Sequence, residues 1–248
     1  GRLSSGLRVQ SAADDAAGLA VTENMRGQMR GYQQAVRNTN DGISILQTAE
    51  SAYQSISDTL IRMRELAVEA ANDSLSDTER GFLDTEFQDL EAEITRISDV
   101  TEFNGINLLD GTAGAAGTMT FQVGTRNSAN DRITVDLTDQ DSTALAVNTS
   151  AVDTRANAQT AIDEIDVALE SLNTDRSVLG STISSLTTAV TNLASTVENY
   201  GASMGQIRDA DIGAESAAFA REQVLQQAGV AMLSQANTLP NLALRLLG

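Results

Sequence analysis

The chain of 248 residues contains no cysteine, no histidine and no tryptophan. Without thiols there is no disulfide staple, no cysteine nucleophile and no thiolate metal ligand. Without histidine the commonest metal ligand and the usual general base are gone, and the serines and aspartates have nothing to complete a nucleophilic triad. Lysine is absent too, so all 16 basic residues are arginine, against 34 carboxylates and a net charge of −18. Such a surface repels nucleic acid and anionic membranes. An acidic chain without lysine also fits a saline habitat. Aromatics are 3% of the chain and proline occurs once, at Pro240. No stretch of about 20 apolar residues exists, so no transmembrane helix is expected. No secretory signal peptide is visible. The chain opens at Gly1 rather than Met, which predicts a shortened or processed polypeptide. There is no P-loop, no G-x-G-x-x-G after a strand and no H-E-x-x-H. No catalytic residue, no cofactor and no metal site is therefore expected, and the chain reads as something other than an enzyme.

What the chain does have is period. Met25, Met29, Tyr32, Val36, Thr39, Ile43, Leu46, Ala49, Tyr53, Ile56, Leu60, Met63, Ala67 and Ala70 follow one another at steps of three or four. Only Thr39 among them is polar. This is a coiled-coil-like seam, and it predicts a helix over about 15–71 that is roughly 85 Å long. A second seam runs Ile162, Ile165, Leu169, Leu172, Arg176, Leu179, Ile183, Leu186, Val190, Leu193, Val197 and Tyr200, interrupted only by Arg176. Two such rods joined by a compact middle should fold back antiparallel, each burying the other's stripe. A third, shorter helix fits between them. Ser76 or Asp77 caps it, Leu83, Phe87, Leu90, Ile94 and Ile97 form its seam, and Asn104-Gly105 ends it.

Between about 103 and 150 the period drops to two. Met119, Phe121 and Val123, then Ile133, Val135 and Leu137, alternate with polar residues around a turn-rich 124–131. That pattern predicts a β-hairpin, with 111–117 as a loop. The fold class expected is thus mainly α: a long antiparallel helical bundle, a small β-hairpin region and a C-terminal helix.

The segment 212–248 is helical but apolar on several sides. Leu225, Ala228, Met232, Ala236, Leu239 and Leu246 lie on one stripe, while Phe219 and Leu233 lie outside it. A helix apolar all round expects cover all round, and nothing left in the chain can supply it. A partner must. Elsewhere the bland readings suffice. Asp14 and Asp15 suit the positive end of the first long helix rather than a metal. Arg176 reads as a polar register device or a snorkelling side chain. Asn72-Asp73-Ser74 and Asn148-Thr149-Ser150 match glycosylation acceptors without further support.

Several stretches together resemble one family. They are Leu3-Ser4-Ser5-Gly6-Leu7-Arg8 through Asp14-Asp15-Ala16-Ala17-Gly18, Arg64-Glu65-Leu66-Ala67-Val68-Glu69-Ala70-Ala71-Asn72 and Glu102-Phe103-Asn104-Gly105. Ile207-Arg208-Asp209-Ala210-Asp211, Ala228-Gly229 through Ser234-Gln235-Ala236-Asn237, and the closing Leu239-Pro240 and Leu246-Leu247 complete the set. They are similar to the bacterial flagellins, in the family's order. Against that family the chain looks N-terminally truncated and without the large outer variable domains.

The resemblance implies an extracellular filament subunit for swimming motility, exported by the flagellar type III apparatus. It implies a spoke at 1–18 and 199–211, a rod at 19–198 bearing the insert at about 103–150, and an axial helix at 212–248. It implies other flagellin subunits, an export chaperone on the C-terminal helix, and filament cap and hook-junction proteins as partners. In flagellins the stretch around Ile61, Arg62, Met63, Arg64, Glu65 and Leu66 packs against neighbouring protofilaments, and in many it is read by Toll-like receptor 5. Arg62, Leu66 and Glu93 match the family's receptor-contacting positions. Phe219, Leu225, Ala228, Met232, Leu233, Ala236, Leu239 and Leu246 fall on the polymerisation helix. The rival readings are a flagellin-like surface protein binding a ligand such as a polysaccharide, and a hook–filament junction protein.

Overall fold

A computed structural model describes the backbone of residues 1–247 and the side chains of residues 1–236. The chain is mainly helical, as expected. The helices are α1 (Arg2–Ser5), α2 (Ala16–Ala70), α3 (Asp77–Val100), α4 (Arg155–Arg208) and α5 (Ile212–Leu247). Four short strands lie between α3 and α4: β1 (Glu102–Phe103), β2 (Ile106–Asn107), β3 (Thr118–Gln122) and β4 (Arg132–Asp136). They make two separate antiparallel pairs, β1 with β2 and β3 with β4. The polypeptide divides into two compact units, one of residues 30–196 and one of residues 1–29 with 197–248.

In the 30–196 unit the three seams meet in one core. From α2 it takes Leu46, Ala49, Tyr53, Ile56, Leu60, Met63, Ala67 and Ala70; from α3 Phe87 and Ile94; from α4 Ile165, Leu172, Leu179 and Leu186. Cross-links at matching levels fix the directions. Arg64 of α2 pairs with Asp166 of α4 at 2.6 Å, and Glu50 of α2 with Arg176 of α4 at 2.8 Å, so α4 runs antiparallel to α2.

The corner between α2 and α3 follows from three side chains. The Ser76 hydroxyl accepts from the Glu79 N–H, and the Glu79 carboxylate accepts from the Ser76 N–H at 2.7 Å, a reciprocal cap. Arg80, buried, donates to the carbonyls of Ala70 at 2.7 Å and Asn72 at 2.9 Å, so it closes the end of α2 from inside α3. Asn104 and Gly105 do more than stop α3. Both have positive φ, 52° and 77°, and form the two-residue turn of the β1–β2 hairpin, which asparagine and glycine suit.

In the second hairpin Met119 stands opposite Val135 and Phe121 opposite Ile133. Directly paired residues share a face, and this one packs onto the helical core, while Thr120 and Thr134 point to solvent. From Leu137 to Val152 the chain has no regular structure, yet Leu137, Leu145, Val147 and Val152 are buried. Polar ties hold it to α3: the Thr95 hydroxyl donates to Ser142 at 3.0 Å, Gln88 to the Ser150 carbonyl at 3.0 Å, and Asp84 accepts from the Val152 N–H at 2.8 Å.

In the other unit residues 6–9 run against 208–210. The Arg8 N–H donates to the Arg208 carbonyl at 2.7 Å and the Ala210 N–H to the Gly6 carbonyl at 2.9 Å. Tyr200 donates to Gln28 at 2.7 Å, and Arg208 lies 3.6 Å from Glu23. Helix α4 continues through residues 199–208 and the chain breaks only before Ile212, where α5 starts. Asp14 accepts from the Gln10 and Ser11 N–H groups, and Asp15 accepts from the Gly18 N–H at 2.8 Å at the start of α2. The Ser11 and Gln10 amides hold the Asp14 carboxyl below its ordinary range. These two aspartates therefore serve the turn and the helix start.

Candidate functional site

Helix α5 is the most unusual surface of the molecule. Its apolar side chains are uncovered from end to end of the described part: Ile212 is 49% exposed, Phe219 52%, Leu225 63%, Leu233 67% and Met232 72%. Val224 and Val230 on other sides are exposed as well, as are Ala228 and Ala236. Leu239 and Leu246 lie outside the described residues. The sequence pattern and the structure agree on what this helix lacks. Among the described residues only α1 lies against it, near Glu215, so this helix leaves more apolar surface open than a monomeric chain ordinarily exposes.

A second surface lies where α2 and α3 run side by side. Ile61 is 46% exposed, and Arg62 beside it bridges the two helices. Its guanidinium donates to Glu86 of α3 at 2.7 Å and to Glu65 at 3.0 Å. The Glu86 carboxylate, then that of Glu65, raises the Arg62 pKa above its ordinary value. Glu93 is half-buried and is held by Arg96 one turn on at 2.6 Å, which lowers its pKa. Leu66 is not part of this surface. At 1% exposure it belongs to the core, because it lies three residues on from the buried Met63, on the flank of α2 that faces inward. The resemblance placed it among contact positions; the buried stripe is wider than the seam at this level and includes it.

Next to Ile61 a shallow depression of about 510 Å³ is lined by Ile61, Arg64, Glu65, Val68 and Glu69. Val68 is exposed, as are Phe82 on α3 and Val167 and Val178 on α4. Sequence reading passed over these four. Their one signal was an apolar residue off the seam, and single exposed apolar residues are common.

Inside the 30–196 unit a polar cluster interrupts the core where Arg176 breaks the α4 seam. Arg176 donates to Glu50 at 2.8 Å and Gln54 at 2.7 Å. Next to it Asp175 accepts from Thr138 and Gln140, each at 2.8 Å. Burial, and then the charge of Asp175, pushes the Tyr53 hydroxyl up to about 12. The cluster ties the loop after β4 to the α2–α4 pair at one level. Arg176 is thus held by partners on α2 that the sequence could not name.

Nothing in these surfaces resembles reactive chemistry. Among the described residues no group of three or more carboxylates is placed to hold a metal ion. Among them, too, no helix is long and apolar enough to cross a membrane.

Two family models match the chain. One is the bacterial flagellin N-terminal helical region, over residues 1–114, and the other the bacterial flagellin C-terminal helical region, over residues 162–247. The flagellin of Halalkalibacterium halodurans is 44% identical over 248 residues, covering 99% of this chain and 89% of its own length. The Bacillus subtilis flagellin is 37% identical and covers 99% of this chain and 90% of itself. Among solved structures, Bacillus cereus flagellin superposes with a TM-score of 0.56 at 34% identity, over 63% of this chain and 88% of its own. The long helices with their reciprocal seams, the uncovered terminal helix and matches to both end regions of one family lead to a single assignment: the chain belongs to the bacterial flagellins.

Proposed function

We infer that the chain is a structural subunit of the flagellar filament, outside the cell, and that it polymerises with further copies of itself to carry motility. The observation that supports this above the rest is α5, whose Phe219, Leu225, Met232 and Leu233 are exposed on a helix that is apolar on several sides. Covering it removes on the order of 1,000 Å² of apolar surface, roughly 25 kcal/mol gross at ~25 cal/mol/Å² before ordering costs. Contacts repeated head to tail between copies are heterologous, and they generate an open helix rather than a closed ring.

Within this reading residues 19–198 act as the rod, 1–18 and 199–211 as the spoke, and 212–248 as the axial helix. Before assembly an export chaperone is the fitting cover for α5, and cap and hook-junction proteins are the fitting neighbours at the filament ends. The face around Ile61, Arg62 and Glu93 is open to a neighbouring protofilament, or to Toll-like receptor 5 in a free subunit. Leu66 supports that face from beneath.

The test is the pair Leu225→Asp and Leu233→Asp. Both side chains are exposed in the subunit, so its thermal unfolding stays where it was, while sedimentable polymer and filaments in electron micrographs are lost. Normal filaments from the double variant overturn the reading. Receptor activation by the Arg62→Ala and Glu93→Ala subunits, set beside their filament yield, separates the two uses of that face.

A further inference from the structure

Charge is unevenly spread over the 30–196 unit. Helix α3 carries eight carboxylates against two arginines. The opposite sign gathers at the tip of the β3–β4 hairpin and the stretch of α2 beneath it. Over 30–42 and 122–132 there are four arginines, Arg30, Arg37, Arg126 and Arg132, against Asp41 and Asp131. Close packing joins the two stretches: a Cβ on Gly31 would meet Thr125 at 2.8 Å, and one on Gly42 would meet Phe121 at 2.8 Å.

These four arginines are exposed, and among the described residues none has a carboxylate within ion-pair distance. Arg37 donates only to Gln34, and Arg132 only to Gln122 and Asn127. Asp131 is occupied by the Arg126 N–H at 2.6 Å. Carboxylates outnumber arginines 34 to 16, so these four are not left unpaired by a shortage of carboxylates; what sets them apart is that they lie together. On α3 the complement exists. Asp89 and Glu91 carry no arginine partner, and Glu86 shares Arg62 with Glu65.

The two patches cannot meet on one molecule. Glu86 is level with Arg62 and α3 runs back along α2, so Asp89 and Glu91 lie level with about residues 57–59, some 20 residues or about 30 Å from Arg37 at 1.5 Å per residue and farther from Arg30. At that distance salt largely screens one from the other. Two unlike patches on one chain, separated along a helix axis, are the ingredients of a heterologous contact between displaced copies. Arginine suits it, because its planar fork takes a carboxylate in two parallel hydrogen bonds.

We propose that the arginines of the hairpin tip and α2 (Arg30, Arg37, Arg126 and Arg132) dock on the acidic α3 face around Asp89 and Glu91 of a second copy, and that this pairing sets the axial register between subunits. The proposal rests on the polymer reading above and adds to it the face and the charge pairing. It also explains how copies of charge −18 tolerate close packing: the positive patch of each meets the densest negative surface of the next. Like charges brought together instead disfavour wrong registers, so complementarity acts on specificity more than on raw affinity.

The experiment uses three forms of the full chain: the natural sequence, Arg126→Glu/Arg132→Glu, and Asp89→Arg/Glu91→Arg. Unfolding of each is followed by circular dichroism, and the concentration at which sedimentable polymer appears is measured. Arg30→Glu/Arg37→Glu, on the surface of α2, replaces the hairpin pair if that one unfolds early. Either variant alone juxtaposes like charges and raises the critical concentration about tenfold or more. An equimolar mixture alternates acidic tips against basic α3 faces and returns it to near the natural value. Variants that assemble as the natural chain does overturn the proposal, and so does a mixture no better than its components. Loss of retention on a sulfated polysaccharide column with assembly intact also overturns it, and assigns the arginines to a polyanion. If the natural chain itself forms no polymer, the filament reading falls first.

Discussion

Gly42 of α2 lies directly under the ring of Phe121, so close that a Cβ there would stand 2.8 Å from Cδ1 and 3.0 Å from Cε1. The hairpin is thus seated on the helix through a missing side chain. Glycine costs a helix about 1 kcal/mol relative to alanine, yet here the space it leaves is used. Gly180 of α4 has nothing within 4 Å of the same position. Gly42→Ala is therefore expected to lower the melting temperature despite its helix propensity, by overpacking of about 1–3 kcal/mol. Gly180→Ala is expected to raise stability by about 0.5–1 kcal/mol. Thermal unfolding by circular dichroism checks both, and the opposite signs are the point of the comparison.

Tyr53 predicts an alkaline limit. Its hydroxyl titrates near 12 in the folded chain and near 10 when unfolded. Between those values the unfolded state has already lost the proton and the folded state has not, so stability falls as pH rises. The contribution is intact below about 10 and is lost by about 12, roughly 2–3 kcal/mol in all. Tyr53→Phe should remove most of that slope. Denaturant midpoints measured between pH 9 and 12 would show an unchanged slope if another group is responsible.

Leu66 and Ile61 separate packing from contact. Leu66→Ala empties a fully buried position and should cost about 2–5 kcal/mol of subunit stability. Ile61→Ala and Arg62→Ala alter exposed side chains and should each stay within about 0.5–1 kcal/mol. Any loss of filament yield in these two at unchanged unfolding temperature assigns them to an intersubunit contact.

Ser76→Ala should cost about 1 kcal/mol by removing one half of the α3 cap. The other half is pH-dependent. The Ser76 amide, then its hydroxyl, holds the Glu79 carboxyl below its usual range. That contribution is present above the ordinary glutamate pKa and disappears as pH falls through the lowered one. The backbone amide persists in Ser76→Ala and its share cancels, so the difference between the two chains should shrink in acid only by what the Ser76 hydroxyl gives the Glu79 carboxylate, which urea titrations at neutral and acid pH can read.

Much of this architecture was legible because its elements are long and locally determined. The seams named Leu46, Tyr53, Ile56, Leu60, Phe87, Ile94, Leu172 and Leu179 in advance, and all are buried. The period-two run gave β3 and β4 with Phe121 and Val135 inward. The uncovered C-terminal helix was legible for the same reason, as a count of apolar faces with too few partners. What was not legible depends on distant partners. The wrap of 137–152 over α3 is held by Asp84, Gln88 and Thr95, which are ordinary surface residues on any helical wheel. Asn104-Gly105 read as a stop rather than a hairpin because the flanking strands are two residues each. Leu66 was named as a contact position through the resemblance, and the seam did not correct this because one residue per step understates how broad the buried stripe becomes between two neighbours.

Arg80 closes the end of one helix from within the next. Helices ordinarily fray from their termini, where carbonyls lack partners. Here the last carbonyl of α2, at Ala70, and that of Asn72 just beyond it are held by a buried cation rooted in the first turn of α3, which couples the two ends. The bend between them behaves as a welded joint rather than a hinge. Torque or tension arriving along α2 passes into α3 at that corner instead of being spent in unwinding it.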